Sequence, residues 1–190
     1  MLARWIYSIL LALVAPLAWG WLLWRQRTGQ AQWDVLAAER FGRYPQPWDG
    51  RAPVWVHAVS VGEVRAAAPL IEALVLKGET VLLTHFTPTG KVEAQRLLGS
   101  AIHEGQIRQQ WVPYDFAVAT RRFVKHFQPR LALLIEREVW PNLVHQTTQA
   151  GVPVVLVSAR FSERSLKQTV WINRIFGGLL SDTYAKLRLA

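Results

Sequence analysis

The chain has 190 residues, with 22 Lys+Arg against 13 Asp+Glu for a formal net charge of +9, and a composition that is 51% hydrophobic with 10 Trp and 7 Phe. That apolar content can fill a packed core, which excludes a disordered chain, and the length suits one ordinary domain. With 0 Cys the chain has no disulfide, no thiolate nucleophile and no Cys-ligated zinc or iron–sulfur site. The surplus of basic residues points to an anionic partner: membrane lipid, nucleic acid or a phosphorylated substrate. Charge alone does not choose among them.

Residues 5–24 carry no charged side chain, and a helix rising about 1.5 Å per residue over that run spans roughly the 30 Å hydrocarbon core of a bilayer. Trp5, Tyr7, Trp19, Trp21 and Trp24 gather toward its two ends, as interfacial aromatics do. Residues 1–27 are therefore predicted to form a single-pass membrane anchor helix. Its basic flank lies mostly on the C-terminal side, at Arg25, Arg27 and then Arg40 against Arg4 and the N-terminus, so the body is expected on the cytoplasmic side. A cleaved signal peptide is the competing reading, but the apolar run is longer than the usual one and no small-x-small site follows it cleanly. Residues 28–52, rich in Trp, Arg and Gln and broken by Pro45, Pro47 and Gly50, read as a juxtamembrane helix followed by a linker.

Residues 53–190 read as one globular domain. Short apolar runs at 54–58, 80–86, 107–112, 131–135 and 154–157 alternate with segments of helical length, which is the βαβ rhythm. Strands written as nearly continuous apolar runs are buried on both faces, so the predicted fold class is α/β: a Rossmann-like, doubly wound parallel sheet of about five strands. In the first crossover Val64, Ala67, Ile71, Leu74 and Val75 recur at helical spacing, and Gly78 supplies a stop.

In open parallel sheets ligands bind beyond the carboxyl ends of the strands, so the informative residues should follow each apolar run. After the first come Ser60-Val61-Gly62-Glu63, after the second Thr87-Pro88-Thr89-Gly90 and after the third Pro113-Tyr114-Asp115. The fourth is followed by Glu136-Arg137-Glu138-Val139-Trp140-Pro141-Asn142, and the fifth by Ser158-Ala159-Arg160-Phe161-Ser162-Glu163-Arg164-Ser165. Ser60 and Glu63 fit a capping box, which on spacing alone is the stronger reading. The functional alternative has Gly62 permitting close approach of a ligand while Glu63 acts as a general base on a hydroxyl. Thr87 with Pro88 is an N-cap with proline at the first helical position, and the free amides there, with Thr89 and Gly90, offer an anion site. Glu136 and Glu138 would point the same way if the strand continued through them, either into a cleft or onto a solvated edge. Arg160 and Arg164 are either a phosphate or carboxylate clamp or ordinary surface arginines. None of the histidines at 57, 85, 103, 126 and 145 has metal-ligand spacing with another, so no metal is assigned. No G-x-G-x-x-G, phosphate-loop or RNA-binding motif occurs, which disfavours dinucleotide, kinase and nucleic-acid readings.

Taken together and in this order, S-V-G-E, T-P-T-G, P-Y-D, E-x-E-x-W-P-N and S-A-R-x-S-x-R-S resemble the N-terminal half of the 3-deoxy-D-manno-octulosonic acid (Kdo) transferases of lipopolysaccharide synthesis, from about Arg40 to Ser165. The resemblance implies an inner-membrane, inverting, metal-independent glycosyltransferase of the GT-B kind that moves Kdo from CMP-Kdo to the lipid A precursor, with no other cofactor. It makes Glu63 the catalytic base, overturning the capping preference. It carries Ser60, Gly62, Thr87, Thr89, Gly90, Glu136, Glu138, Trp140, Arg160, Ser162 and Arg164 over as acceptor or cleft residues. The basic surplus then has two anionic partners, the lipid phosphates and the membrane surface. Two departures stand out: Arg137 replaces a small polar residue expected between the two acids, and the chain does not include the nucleotide-sugar domain. On this reading it is an acceptor half, inactive alone: either a truncated reading frame or a chain that works with a second polypeptide supplying the donor domain. The alternative is a membrane-tethered non-catalytic binding module or truncated remnant that retains acceptor binding.

Overall fold

In the computed structural model, which describes residues 2–27, 33–48, 50–136, 138–158, 173 and 178–189, the short apolar runs become strands. These are β1 (Val54–His57), β2 (Val81–His85), β3 (Ile107–Trp111), β4 (Leu131–Ile135) and β5 (Val154–Val157), with a further short strand β6 (Arg188–Leu189). All pair in parallel, in the order β3-β2-β1-β4-β5-β6. The expected α/β class and parallel sheet are thus present, with β6 added at one edge. At the other edge β3 departs from the apolar pattern of its neighbours: Arg108, Gln109 and Gln110 are only half-buried, because an edge strand has one flank open to water.

Helices α2 (Val61–Leu76) and α3 (Pro88–His103) cover one face of the sheet, and α4 (Ala117–Phe127) and α5 (Pro141–Gln149) the other. The alternation along β1 divides its side chains between them: Val54 and Val56 pack with Val64, Ala67 and Ile71 of α2, while Trp55 packs with Phe123 and Leu143. The helical spacing in the first crossover is what buries Val64, Ala67 and Ile71, and Gly78 ends the turn at φ 76°. A short helix, α6 (Leu179–Tyr184), precedes β6.

The described part of the predicted juxtamembrane helix and linker is instead a packed arm whose regular element is one 3₁₀ turn, Ala38–Phe41. Gly42 closes that turn at φ 70°, and a Cβ there would lie 2.3 Å from the Ala119 carbonyl oxygen of α4, so only glycine fits. Arg40 does not flank a membrane helix as a free cation. It is 1% exposed, donates to the carbonyls of Trp33, Asp34 and Phe86, and stacks its guanidinium 4.4 Å from the Trp111 ring centroid. Tyr44 completes the arm by packing on Phe123 and Phe127. Ahead of it, α1 (Leu2–Arg27) is long and apolar enough to cross a membrane, and its Tyr7, Ser8 and Trp19 touch the body.

Candidate functional site

The strand order reverses between β1 and β4, and in doubly wound sheets the crevice opens at that switch point. Two of the predicted segments meet there, Ser60–Glu63 after β1 and Glu136–Trp140 after β4. Ser60 is the N-cap of α2, accepting from the Glu63 amide at 3.5 Å. The Glu63 carboxylate reaches back one residue further than a standard capping box: Oε2 accepts from the Val59 amide at 2.6 Å and Oε1 from the Ser60 hydroxyl at 3.0 Å. Each oxygen keeps a second lone pair. Burial pushes the Glu63 carboxyl above its ordinary range, the donors from Val59 and Ser60 act against that, and the Glu136 carboxylate adds to it. The residue is thus both a cap and a carboxylate poised closer to neutrality than an exposed one.

Gly62 sits beside it with an ordinary helical backbone, and a Cβ there would meet nothing within 4 Å. Neither backbone conformation nor packing against the described residues requires glycine at this exposed position. Gly90 is the opposite case. Its Cβ would lie 2.7 Å from the Val59 carbonyl oxygen, and Thr87 both caps α3 by accepting from the Gly90 amide at 3.2 Å and donates to Val59 at 2.7 Å. Thr87 and Gly90 therefore lock α3 onto the loop that holds Glu63. Thr89 is exposed on the first turn, its hydroxyl 3.4 Å from that of Thr87.

After β4 the chain does not continue as a strand. Glu136 adopts φ 57°, so the expected alternation of Glu136 and Glu138 along a continuing strand does not apply. Ser158 adopts the same φ of 57° one residue past β5, and the residues before the two, Ile135 and Val157, are register partners. Left-handed backbone at non-glycine residues costs about 1–2 kcal/mol each, and such strain concentrates at functional sites. Glu138 accepts from the Trp140 indole at 3.0 Å, and the Trp140 ring stands edge-on to His57 and Phe86. Arg137, Arg160, Ser162 and Arg164 lie outside the described residues.

Sequence reasoning did not assign roles to Asp115, His57 or His85. Asp115 accepts from the Asn142 and Leu143 amides at 3.0 and 2.7 Å, capping α5 from a separate segment, while its N-cap Trp140 makes no side-chain cap bond. His57 and His85 lie at the ends of β1 and β2, and burial pushes them down to about 3 and about 4. The His57 Nδ1 is 2.9 Å from the Thr84 hydroxyl, which also accepts from the Trp55 indole at 2.8 Å. The position of Asp115 in the P-Y-D segment was the available signal; nothing local reveals which helix it caps. Among the described residues no three His, Asp or Glu side chains form a group able to hold a metal ion.

A parallel sheet whose order reverses between β1 and β4, with a buried carboxylate after β1 and left-handed turns after β4 and β5, defines an α/β domain of the doubly wound class. The profile of the family described as 3-Deoxy-D-manno-octulosonic-acid transferase (kdotransferase) matches residues 36–188. The chain is 51% identical over 177 residues to the 3-deoxy-D-manno-octulosonic acid transferase of Bordetella pertussis, covering 91% of this chain and 41% of that protein. It is 36% identical over 135 residues to the transferase of the same name from Haemophilus influenzae, covering 67% of the chain and 30% of that protein. To the probable mitochondrial 3-deoxy-D-manno-octulosonic acid transferase of Arabidopsis thaliana it is 31% identical over 193 residues, covering 97% and 40%. The chain belongs to the Kdo transferase family, and it spans about two-fifths of the length of the first of these relatives.

Proposed function

We propose that this chain is the acceptor-binding half of a Kdo glycosyltransferase that transfers Kdo from CMP-Kdo to the lipid A precursor, held at the cytoplasmic side of the inner membrane by α1. The observation that carries this reading is Glu63, a buried carboxylate at the switch-point crevice beside a glycine whose missing side chain nothing among the described residues explains. An acceptor sugar hydroxyl approaching over Gly62 would meet Glu63 within hydrogen-bonding reach. The carboxylate takes the hydroxyl proton as the oxygen attacks the anomeric carbon of Kdo, and CMP leaves from the opposite face of the sugar, inverting the centre. The raised affinity of Glu63 for a proton brings the base nearer to the operating pH and so raises its driving force for that transfer. The proton transfer needs no metal at the reacting centre, and metal-independent transfer is part of the proposal.

Thr87 and Gly90 position the Glu63 loop, and Glu136, Glu138 and Trp140 form the facing rim. Arg160, Ser162 and Arg164 are proposed to hold the acceptor phosphates, with Arg137 an added cation between the two acids. CMP-Kdo and the nucleotide half that binds it come from outside these residues. The reading is tested by titrating the chain in detergent with the acylated, bisphosphorylated acceptor. Binding should weaken as ionic strength rises, and further in Arg160→Ala and Arg164→Ala, because phosphate recognition by arginine is screened by salt. Salt-independent binding, or none, would overturn the acceptor assignment.

A further inference from the structure

Helix α1 is held to the body along most of its length, not at one end. Near its start Tyr7 Oη donates to Asp115 Oδ2 at 2.9 Å and Ser8 Oγ accepts from Asn142 Nδ2 at 3.0 Å. Twelve residues on, Trp19 packs against Phe41 and Tyr114 with ring centroids 5.4 Å away in both cases. Along the same face Leu11, Ala15, Ala18 and Leu22 line, with Tyr114, Phe116 and Trp140, an apolar cavity of about 260 Å³. Arg4 is close enough to the body to act with Lys186 on His145, whose pKa burial lowers first and these two cations lower further.

From Tyr7 to Leu22 the helix axis advances about 22 Å, most of the roughly 30 Å core of a bilayer. If α1 stood along the membrane normal, the body surfaces that grip it would differ in depth by that amount. Either Asp115, Asn142 and the cations around His145 would enter the hydrocarbon, or the contacts would have to break. Polar and ionisable groups are costly there and are found paired or facing water-filled cavities. Among the described residues the other side of the helix makes no such contacts: Leu2, Ile6, Ile9, Leu13, Leu17 and Trp24 are exposed. At 100° per residue these six fall on one stripe, and Tyr7, Leu11, Ala15, Ala18 and Leu22 fall on a stripe nearly opposite. Both ends of the helix are basic, Arg4 at one and Arg25 and Arg27 at the other, with no acid in its first turn. Both ends thus carry cations that anionic headgroups can meet.

We propose that α1 lies in the plane of the membrane surface, one leaflet deep, with the Leu2–Trp24 stripe against the acyl chains and the Tyr7–Leu22 stripe carrying the body. This replaces the single crossing expected from length alone, and it rests on the membrane-attached reading given above. It also sets the crevice beside Trp140 at the level of the headgroups, where the reacting sugar of a lipid acceptor sits.

The chain has no cysteine, so Ile6→Cys, Leu13→Cys and Trp24→Cys each carry a nitroxide at one defined place. All three sit on the face that leaves the body untouched. In vesicles of phosphatidylethanolamine doped with phosphatidylglycerol, depth is read from quenching by oxygen against a water-soluble nickel complex. Equal depths for the three labels, within about 5 Å of one another and about 5–10 Å below the headgroups, are expected. A label at Leu13 near the midplane with Ile6 and Trp24 shallow would overturn the in-plane geometry and leave membrane attachment standing. Labels that report only water would overturn both. As an independent check, Ala3→Cys and Ser100→Cys should react with a membrane-impermeant maleimide from the same side of sealed inner-membrane vesicles. Reaction from opposite sides would overturn the proposal.

Discussion

Replacing Arg40 by methionine is a demanding test of how the chain between α1 and β1 is held. Methionine fills much of the same volume with an unbranched, adaptable chain, so the change removes charge and hydrogen bonds rather than opening a large cavity. Three bonds are lost: Nη2 to the carbonyls of Trp33 and Phe86, both at 2.9 Å, and Nε to that of Asp34 at 3.1 Å. Bonds to a charged donor contribute about 1.5–3 kcal/mol each, and removing the burial of a cation, itself costing several kcal/mol, offsets part of that. The stacking on Trp111, with the guanidinium 4.4 Å from the ring centroid, contributes about 2 kcal/mol when desolvated. The net expectation for Arg40→Met is a loss of about 3–5 kcal/mol, a large share of the 5–15 kcal/mol typical of a folded domain. Arg40→Lys keeps the cation, but one ammonium cannot serve three carbonyls in different directions, so it should lose about half as much. Urea unfolding in mild detergent, followed by tryptophan fluorescence, measures both. An Arg40→Met chain within about 1 kcal/mol of the parent would show that this cation does not hold the arm.

Gly90→Ala should cost about 2 kcal/mol or more in the same assay, because its Cβ meets the Val59 carbonyl; Gly62→Ala should be neutral or up to about 1 kcal/mol more stable, yet weaken acceptor binding in a calorimetric titration. Glu136→Gly relieves a left-handed residue and should stabilise the fold by about 1 kcal/mol, while lowering Kdo transfer once a donor half is supplied. His57 and His85 stay neutral in the fold down to about pH 3 and about pH 4, whereas unfolded histidine takes up its proton near pH 6.5. Unfolding should therefore absorb close to one proton at each of these histidines at pH 5, which lowers stability as pH drops below about 6.5, while Asp115, pushed up to about 7 by burial, acts in the opposite sense. His57→Gln should make the change in denaturation midpoint between pH 7.5 and pH 5 less destabilising, and an unchanged difference would refute this.

The sheet was legible because Val54–His57, Val81–His85, Leu131–Ile135 and Val154–Val157 are written almost wholly in apolar residues, as strands covered on both faces must be. The capping pattern at Ser60 and Glu63 and the Thr87-Pro88 helix start were legible for the same local reason. What was not legible depends on partners distant in sequence. Arg40 reads as one more basic flank residue until the carbonyl of Phe86 and the ring of Trp111 close over it. Asp115 caps a helix that begins 26 residues later, which no spacing rule reports. The turn at Glu136 departs from strand geometry because the backbone crosses into the left-handed region, at a residue type that gives little local warning. In α1 an apolar run long enough to span a bilayer concealed a second periodicity, the side chains that grip the body.

The most direct test joins this chain to the C-terminal part of the Bordetella pertussis relative and measures Kdo transfer from CMP-Kdo to the lipid acceptor, for the parent and for Glu63→Gln. Glutamine can still accept from the Val59 amide or the Ser60 hydroxyl, so the cap and the thermal midpoint should be largely kept, whereas a positioned base contributes on the order of 10²–10⁴ in rate. Transfer by the parent hybrid, with a loss of about that factor in Glu63→Gln at nearly unchanged stability, is the result predicted. A Glu63→Gln hybrid that transfers Kdo within a few-fold of the parent rate would contradict the assignment of Glu63 as the base.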